Sequence, residues 1–208
     1  MELGTTELMA VAAAMGWASG LRLYAVLFFT GLAGYLGWVP LPTGLHLLQN
    51  PMVMAASGAM LAVEFFADKI PGLDTLWDTV HTFIRIPAGA ALAAAAMGGA
   101  FGGDSTTWTT IAALLGGTLA ATSHTAKTTT RAAANTSPEP FTNVGLSLLG
   151  DAAVPGMLWL SWSHPVGFFV VLAICVVAAI VITVVLFKFL RGLWARVVGR
   201  APRDVVQA

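Results

Sequence analysis

Long apolar runs separated by short polar breaks set the pattern of this chain. The clearest run is VGFFVVLAICVVAAIVITVVLF, Val166–Phe187, which holds no charged residue. A bilayer core of about 30 Å takes roughly 20 helical residues, so this run predicts a membrane span. Five other segments fit the same template less cleanly: about Leu8–Trp38, Met52–Phe66, Val80–Phe101, Trp108–Ala134 and Phe141–Trp162. The first is interrupted near Gly16–Arg22. The fourth starts as an apolar helix and then runs into LAATSHTAKTTTRAAANTSPEP, where His124, Lys127 and Arg131 stand among hydroxyl side chains. The expectation is an all-α integral membrane protein with six spans, of which the first and fourth are broken.

Composition agrees. The chain is 57% hydrophobic and 10% charged, with a mean hydropathy of +0.81. A soluble surface needs far more charge than that. The formal net charge is zero, which gives no electrostatic ground for a nucleic-acid partner. The single cysteine, Cys175, rules out an internal disulfide. The start, MELGTTELMA, carries Glu2 and Glu7 and no basic residue. A secretory signal begins with a basic region, so the first apolar segment is expected to stay as a span.

Lys and Arg distribution predicts orientation. Helices 2 and 3 are joined near Lys69, helices 4 and 5 near Lys127 and Arg131, and the tail holds Lys188, Arg191, Arg196, Arg200 and Arg203. The connections near 39–50, 102–107 and 163–165 have no Lys or Arg. By the positive-inside rule the basic side is cytoplasmic. Six spans then put both termini in the cytoplasm of a bacterial inner (plasma) membrane.

The chain also echoes itself. Asp68 is followed by Pro71-Gly72, Leu76-Trp77 and His81; Asp151 is followed by Pro155-Gly156, Leu158-Trp159 and His164. This divides the chain into a first three-helix repeat (1–101), a second (102–190) and a basic tail (191–208). Halves with an odd number of spans are inverted relative to each other, an architecture that recurs in secondary transporters.

Charges inside a membrane cost at least about 2.5–3.5 kcal/mol on insertion scales, so they usually have a partner or a task. At 100° per residue, Asp74, Asp78, His81 and Arg85 fall within about 60° of one another. His124, Lys127 and Arg131 do the same. Glu64 and Asp68 are one turn apart, Arg22 stands alone beside Gly20, and Asp151 sits well inside its apolar segment. Each group has a plainer reading: an interfacial turn, a helix end, a cytoplasmic extension, or a structural lock of Asp151 with Arg22 or Arg85. Ser and Thr can satisfy backbone groups where a membrane helix unwinds. Paired interruptions in corresponding halves point to a transport site. Ser19–Arg22 and Ser123–Lys127 are therefore expected to meet, with Arg22 and Lys127 bordering one polar cavity. Glu64, Asp68, Asp78 and His81 are oxygen and imidazole donors, but no spacing resembles a dedicated metal site, and no metal or other cofactor is expected.

The segments GLRLYAVLFFTGLAG, EFFADKIPGLDTLWDTVHTFIRIPAGA and SHTAKTTTRAAANTSPEPFTNVGLSLLGD resemble a family of small multi-spanning membrane proteins, domain-of-unknown-function family 4126. The resemblance covers nearly all of residues 5–190, and it implies a membrane protein and no particular activity.

The function expected from these residues is a small secondary transporter or permease. Arg22, Arg85, His124, Lys127 and Arg131 would hold a small anionic ligand or a lipid head group. Glu64, Asp68, Asp78, His81 and Asp151 would serve proton or sodium coupling, or pair the cations. The rivals are a membrane enzyme acting on a lipid, with His81 or His124 as general base, and a structural or assembly subunit. The partners are the lipid bilayer and the anionic ligand; assembly into a homo-oligomer is compatible with this reading.

Overall fold

A computed structural model describes residues 3–70, 72–98, 105–136 and 140–198. Pro71, the connection at 99–104 (where the sequence-based division between repeats falls) and the tail from 199 onward lie outside the described residues, as do the side chains of Pro140, Val197 and Val198. The described chain is helical and holds no strand: α1 Thr5–Tyr35, a 3-10 segment Thr43–Gln49, α2 Pro51–Ala67, α3 Leu73–Met97, α4 Ser105–Ala134, α5 Pro140–Ser163 and α6 Pro165–Val198. By length and composition α1, α3, α5 and α6 are apolar enough to cross a membrane, and the 3-10 segment with α2, bent by 71°, makes a fifth candidate. This is the build of a multi-pass membrane protein.

α1 departs from the six-span expectation. Arg22 has φ −149° and ψ 85°, which breaks the helix. In a straight helix, Met15 and Thr30 would lie about 22 Å apart along the axis. Here the Thr30 hydroxyl is 3.8 Å from the Met15 sulfur. The second arm of α1 therefore folds back along the first. Leu3, Gly4 and Glu7 share a cavity with Phe29, Leu32, Ala33 and Trp38, so both arms end at the same, upper, end of the bundle. α1 is a helical hairpin with Arg22 at its lower tip.

The remaining helices follow from their contacts. α2 starts at the upper end, where the Asn50 side chain caps it by accepting from Met52 N at 2.9 Å and Pro51 fills the first turn. It descends beside the second arm of α1, with Gly58 against Phe28, and ends at Asp68 beside Arg22. Gly72, with φ +87°, turns the chain into α3, a conformation that favours glycine. α3 rises past Tyr24 to Gly16 and reaches Gly44 at Ala95. α4 descends from Gly116, opposite Gly16, to Arg131 and Asn135 at the foot of α3. α5 rises from Asn143 through Ser147 and Asp151, beside Arg22, to Trp162 at the upper end. α6 descends, exposing most of its length as an apolar surface.

These directions correct three expectations. The start of α1 and the end of α6 lie at opposite ends of the bundle, because α1 returns without traversing it. The first arm of α1 runs parallel to α4, whereas inverted three-helix repeats would oppose them. The two Pro-Gly motifs also occupy different settings. Gly72 lies in a turn, but Pro155 and Gly156 lie inside α5.

α4 is unbroken through Ala134, against the expected second interruption. Its hydroxyls bond back to carbonyls one turn earlier, as Thr118 to Leu114 at 2.7 Å and Thr122 to Thr118 at 2.8 Å. Small residues let it approach α1: a Cβ on Gly16 would lie 2.6 Å from the Gly116 Cα.

Candidate functional site

A broken helix leaves carbonyls without partners. The first arm of α1 ends at the break, and α4 supplies what those carbonyls lack. Ser123 Oγ donates to Trp17 O at 2.7 Å, and Lys127 Nζ to Leu21 O at 3.1 Å. His124 Nδ1 lies 3.2 Å from Gly20 O. The negative end of the arm's dipole also favours the Lys127 cation. The polar stretch of α4 thus completes a break in α1. Ser19–Arg22 and Ser123–Lys127 do meet, side by side.

Around this junction the buried charges form one connected network. Arg22 bridges Asp68 (3.0 Å) and Asp151 (2.7 Å) and donates to Ser147 Oγ at 2.8 Å. Asp68 also accepts from Lys127 and Arg131, both at 3.1 Å. Lys127 reaches Asp78 at 2.9 Å, and Asp78 pairs with Arg85 at 2.8 Å. Arg85 pairs with Glu64. Arg131 reaches Asp74 at 3.5 Å, and Lys69 closes on Asp151 at 3.3 Å. Five cations (Arg22, Lys69, Arg85, Lys127, Arg131) face five carboxylates (Glu64, Asp68, Asp74, Asp78, Asp151). Among the described residues no group of three metal-binding side chains is placed to hold an ion; these carboxylates face cations instead.

The two histidines differ from the rest. His81 has Nδ1 at 2.8 Å from Trp77 O and Nε2 at 3.2 Å from Tyr24 Oη, with its ring stacked on Trp77. His124 has Nε2 at 2.7 Å from Thr82 Oγ1. Both ring nitrogens of each are engaged within the bundle, and neither lines the cavity beside Arg22.

Arg22, Asp68, Lys127, Arg131 and Ser147 do. They form the polar floor of a cavity of about 370 Å³ between α4, α5 and α6. Its walls are apolar, from Leu146, Leu149 and Ala153 on α5 and Ala178, Ala179 and Ile182 on α6. Arg85, Glu64 and Asp78 sit behind this floor, sealed from it, so the predicted set divides into residues at the cavity and residues one ion pair away.

Sequence reasoning passed over Lys69 and Ser147 as site residues. Ser147 stands one helical turn before Asp151, on the same face, and that spacing was the available signal. Asp74, recognised only as part of a stripe, also joins the network. Its Oδ1 accepts from Gly72 N at 2.8 Å and Thr75 N at 2.6 Å, and Asn135 reaches it at 3.3 Å.

Several helices apolar enough to cross a membrane, packed around a balanced charge network at a broken helix, are compatible with a multi-pass membrane protein that has a polar centre. Residues 9–184 match the family described as domain of unknown function (DUF4126). The chain belongs to that family. Neither the curated proteins nor the solved structures include a match.

Proposed function

We propose that this protein is a small permease that carries an amphiphilic anion. The observation that supports it most is the position of Arg22. It stands at the tip of a folded-back helix and borders, with Lys127 and Arg131, a cavity whose walls are apolar. Unwound membrane helices are tolerated where they are buried in protein or line a cavity, and they mark substrate sites in transporters. The charged floor suits a sulfonate, phosphate or carboxylate head, and the walls on α5 and α6 suit an alkyl tail. The enzyme reading loses its support because neither histidine borders the cavity.

In this reading α2 to α6 cross a bacterial inner membrane and α1 is re-entrant. The lower end, with Lys69, Lys188 and Arg191, faces the cytoplasm by the positive-inside rule, and the start of α1 lies outside. Single cysteines introduced in a Cys175→Ser background as Gly4→Cys and Gly192→Cys should label from opposite sides in oriented vesicles. Labelling from one side would refute the arrangement.

Function is tested in proteoliposomes with radiolabelled decyl sulfonate and methanesulfonate. Decyl sulfonate should enter faster than in protein-free vesicles. A charge-assisted hydrogen bond is worth about 1.5–3 kcal/mol, so Arg22→Gln should slow entry by roughly tenfold to a hundredfold. Preference for methanesulfonate would move the substrate class to soluble anions. Absence of entry for both would favour a structural role, which the full pairing of the charges would serve.

A further inference from the structure

We propose that the anion travels together with a proton, and that Glu64 is the residue that holds it; this rests on the permease reading. The argument starts from charge balance. The five cations of the network are matched by five carboxylates. No positive charge is spare. An anion entering the cavity must take a cation from Asp68 or one of its neighbours. With the anion bound, the buried network would carry one net negative charge, which costs several kcal/mol in such surroundings. Protonating one carboxylate removes the cost.

The carboxylates are not equivalent. Asp68 faces Arg22, Lys127 and Arg131. Asp78 faces Arg85, Lys127 and Arg131. Asp151 faces Arg22 and Lys69. Asp74 has Arg131, Asn135 and two backbone N–H groups. Glu64 has one cation, Arg85, on Oε1. Its Oε2 is buried with no hydrogen-bond partner among the described residues. Neutralising Glu64 therefore breaks the fewest interactions and leaves Oε2 able to carry the proton. The groups around it are Arg85 from α3, Tyr24 from α1 and Lys127 from α4, with His124 and Asp78 one step further through Arg85.

Glu64 does not touch the cavity, yet its charge reaches it. A proton from water adds to Oε2, forming one O–H bond and turning the carboxylate into a neutral acid. The network then carries one net positive charge. Arg85, released from Glu64, stays on Asp78 at 2.8 Å. Asp78 then has less need of Lys127, which it meets at 2.9 Å. Lys127 borders the cavity and becomes free for the anion. Anion release and proton release on the other side restore the balanced network. Each cycle moves one anion and one proton, with no net charge.

The test uses the full-length protein in vesicles loaded with a pH-sensitive dye. Decyl sulfonate does not carry protons across a bilayer itself, so any acidification that accompanies it belongs to the protein. Wild type should acidify the lumen as decyl sulfonate enters, in equal numbers and without a membrane potential. Glu64→Gln fixes the neutral state. It should admit the anion without acidification and build a potential. Anion entry into wild-type vesicles without acidification would overturn the proton coupling and leave the permease reading standing. Acidification in Glu64→Gln equal to wild type would overturn the assignment to Glu64. If neither decyl sulfonate nor methanesulfonate enters wild-type vesicles, the permease reading fails and takes this inference with it. The wild-type measurement decides the coupling even if the variant does not fold.

Discussion

Arg22 and Arg85 are both sealed from solvent, and each bridges two carboxylates. Their surroundings differ in two respects. The partners of Arg22 have other cations to turn to: Asp68 has Lys127 and Arg131, and Asp151 has Lys69. Of the partners of Arg85, Glu64 has no other cation among the described residues. Arg22 lies at a helix break beside a cavity; Arg85 lies within a regular helix, behind it. Redundant pairing lets ions be exchanged at little cost. Exclusive pairing makes one residue answerable for another's charge. The Arg22 region is built to rearrange, and the Arg85 region to hold or to sense.

The largest effect should come from the exclusive pair. Arg85→Ala leaves Glu64 buried without a cation and removes one of those on Asp78. Breaking a buried pair by deleting one partner costs about 3–5 kcal/mol. Thermal unfolding in detergent should show a large loss of stability, and the yield of folded protein should fall. Replacing both partners, as Arg85→Met with Glu64→Leu, should recover most of that loss, since apolar substitutes of similar size are often neutral. An unchanged melting temperature for Arg85→Ala would contradict the exclusive pairing.

Arg22→Gln should cost less. Asp68 keeps two cations and Asp151 keeps one, so the loss is that of charge-assisted hydrogen bonds, about 1.5–3 kcal/mol. The same unfolding experiment ranks the two arginines directly. A larger loss for Arg22 than for Arg85 would reverse the comparison.

Much of this was readable from the sequence, and the parts that were not share a physical cause. α6 is apolar all round and exposes most of its length, so hydropathy alone identified it. The stripe Asp74–Asp78–His81–Arg85 was readable because helical periodicity puts those residues on one face, and all four are buried. That Asp151 would pair with Arg22 or Arg85 followed from the cost of an unpaired charge at depth; the structure gives Arg22, with Lys69 beside it. The hairpin of α1 was not readable. Its length and apolarity are those of a span, and the turn depends on a single residue's backbone, held by side chains more than 100 positions away. The same distance misled the reading of α4. Ser123 and Lys127 do signal an unwound backbone, but the backbone belongs to α1. A local pattern records that a partner is needed without saying which helix supplies it.

The smallest effect should be at Lys69, where the redundancy of the Arg22 region can itself be measured. Lys69 is 20% exposed and meets Asp151 at 3.3 Å, Ser147 Oγ at 3.3 Å and Phe65 O at 3.2 Å. Its ammonium also stands 3.0 Å from the Phe65 ring centroid. Partly exposed pairs contribute roughly 0.2–1 kcal/mol, and Asp151 retains Arg22 at 2.7 Å. Lys69→Gln alone should therefore lower stability by less than about 1 kcal/mol. The combination with Arg22→Gln should cost more than the sum of the two, because Asp151 then has no cation left. Residues in one ion-pair network couple by about 0.5–3 kcal/mol. A double mutant that is merely additive would mean that Arg22 and Lys69 do not share Asp151. The contrast with Arg85 would then need another explanation than spare partners.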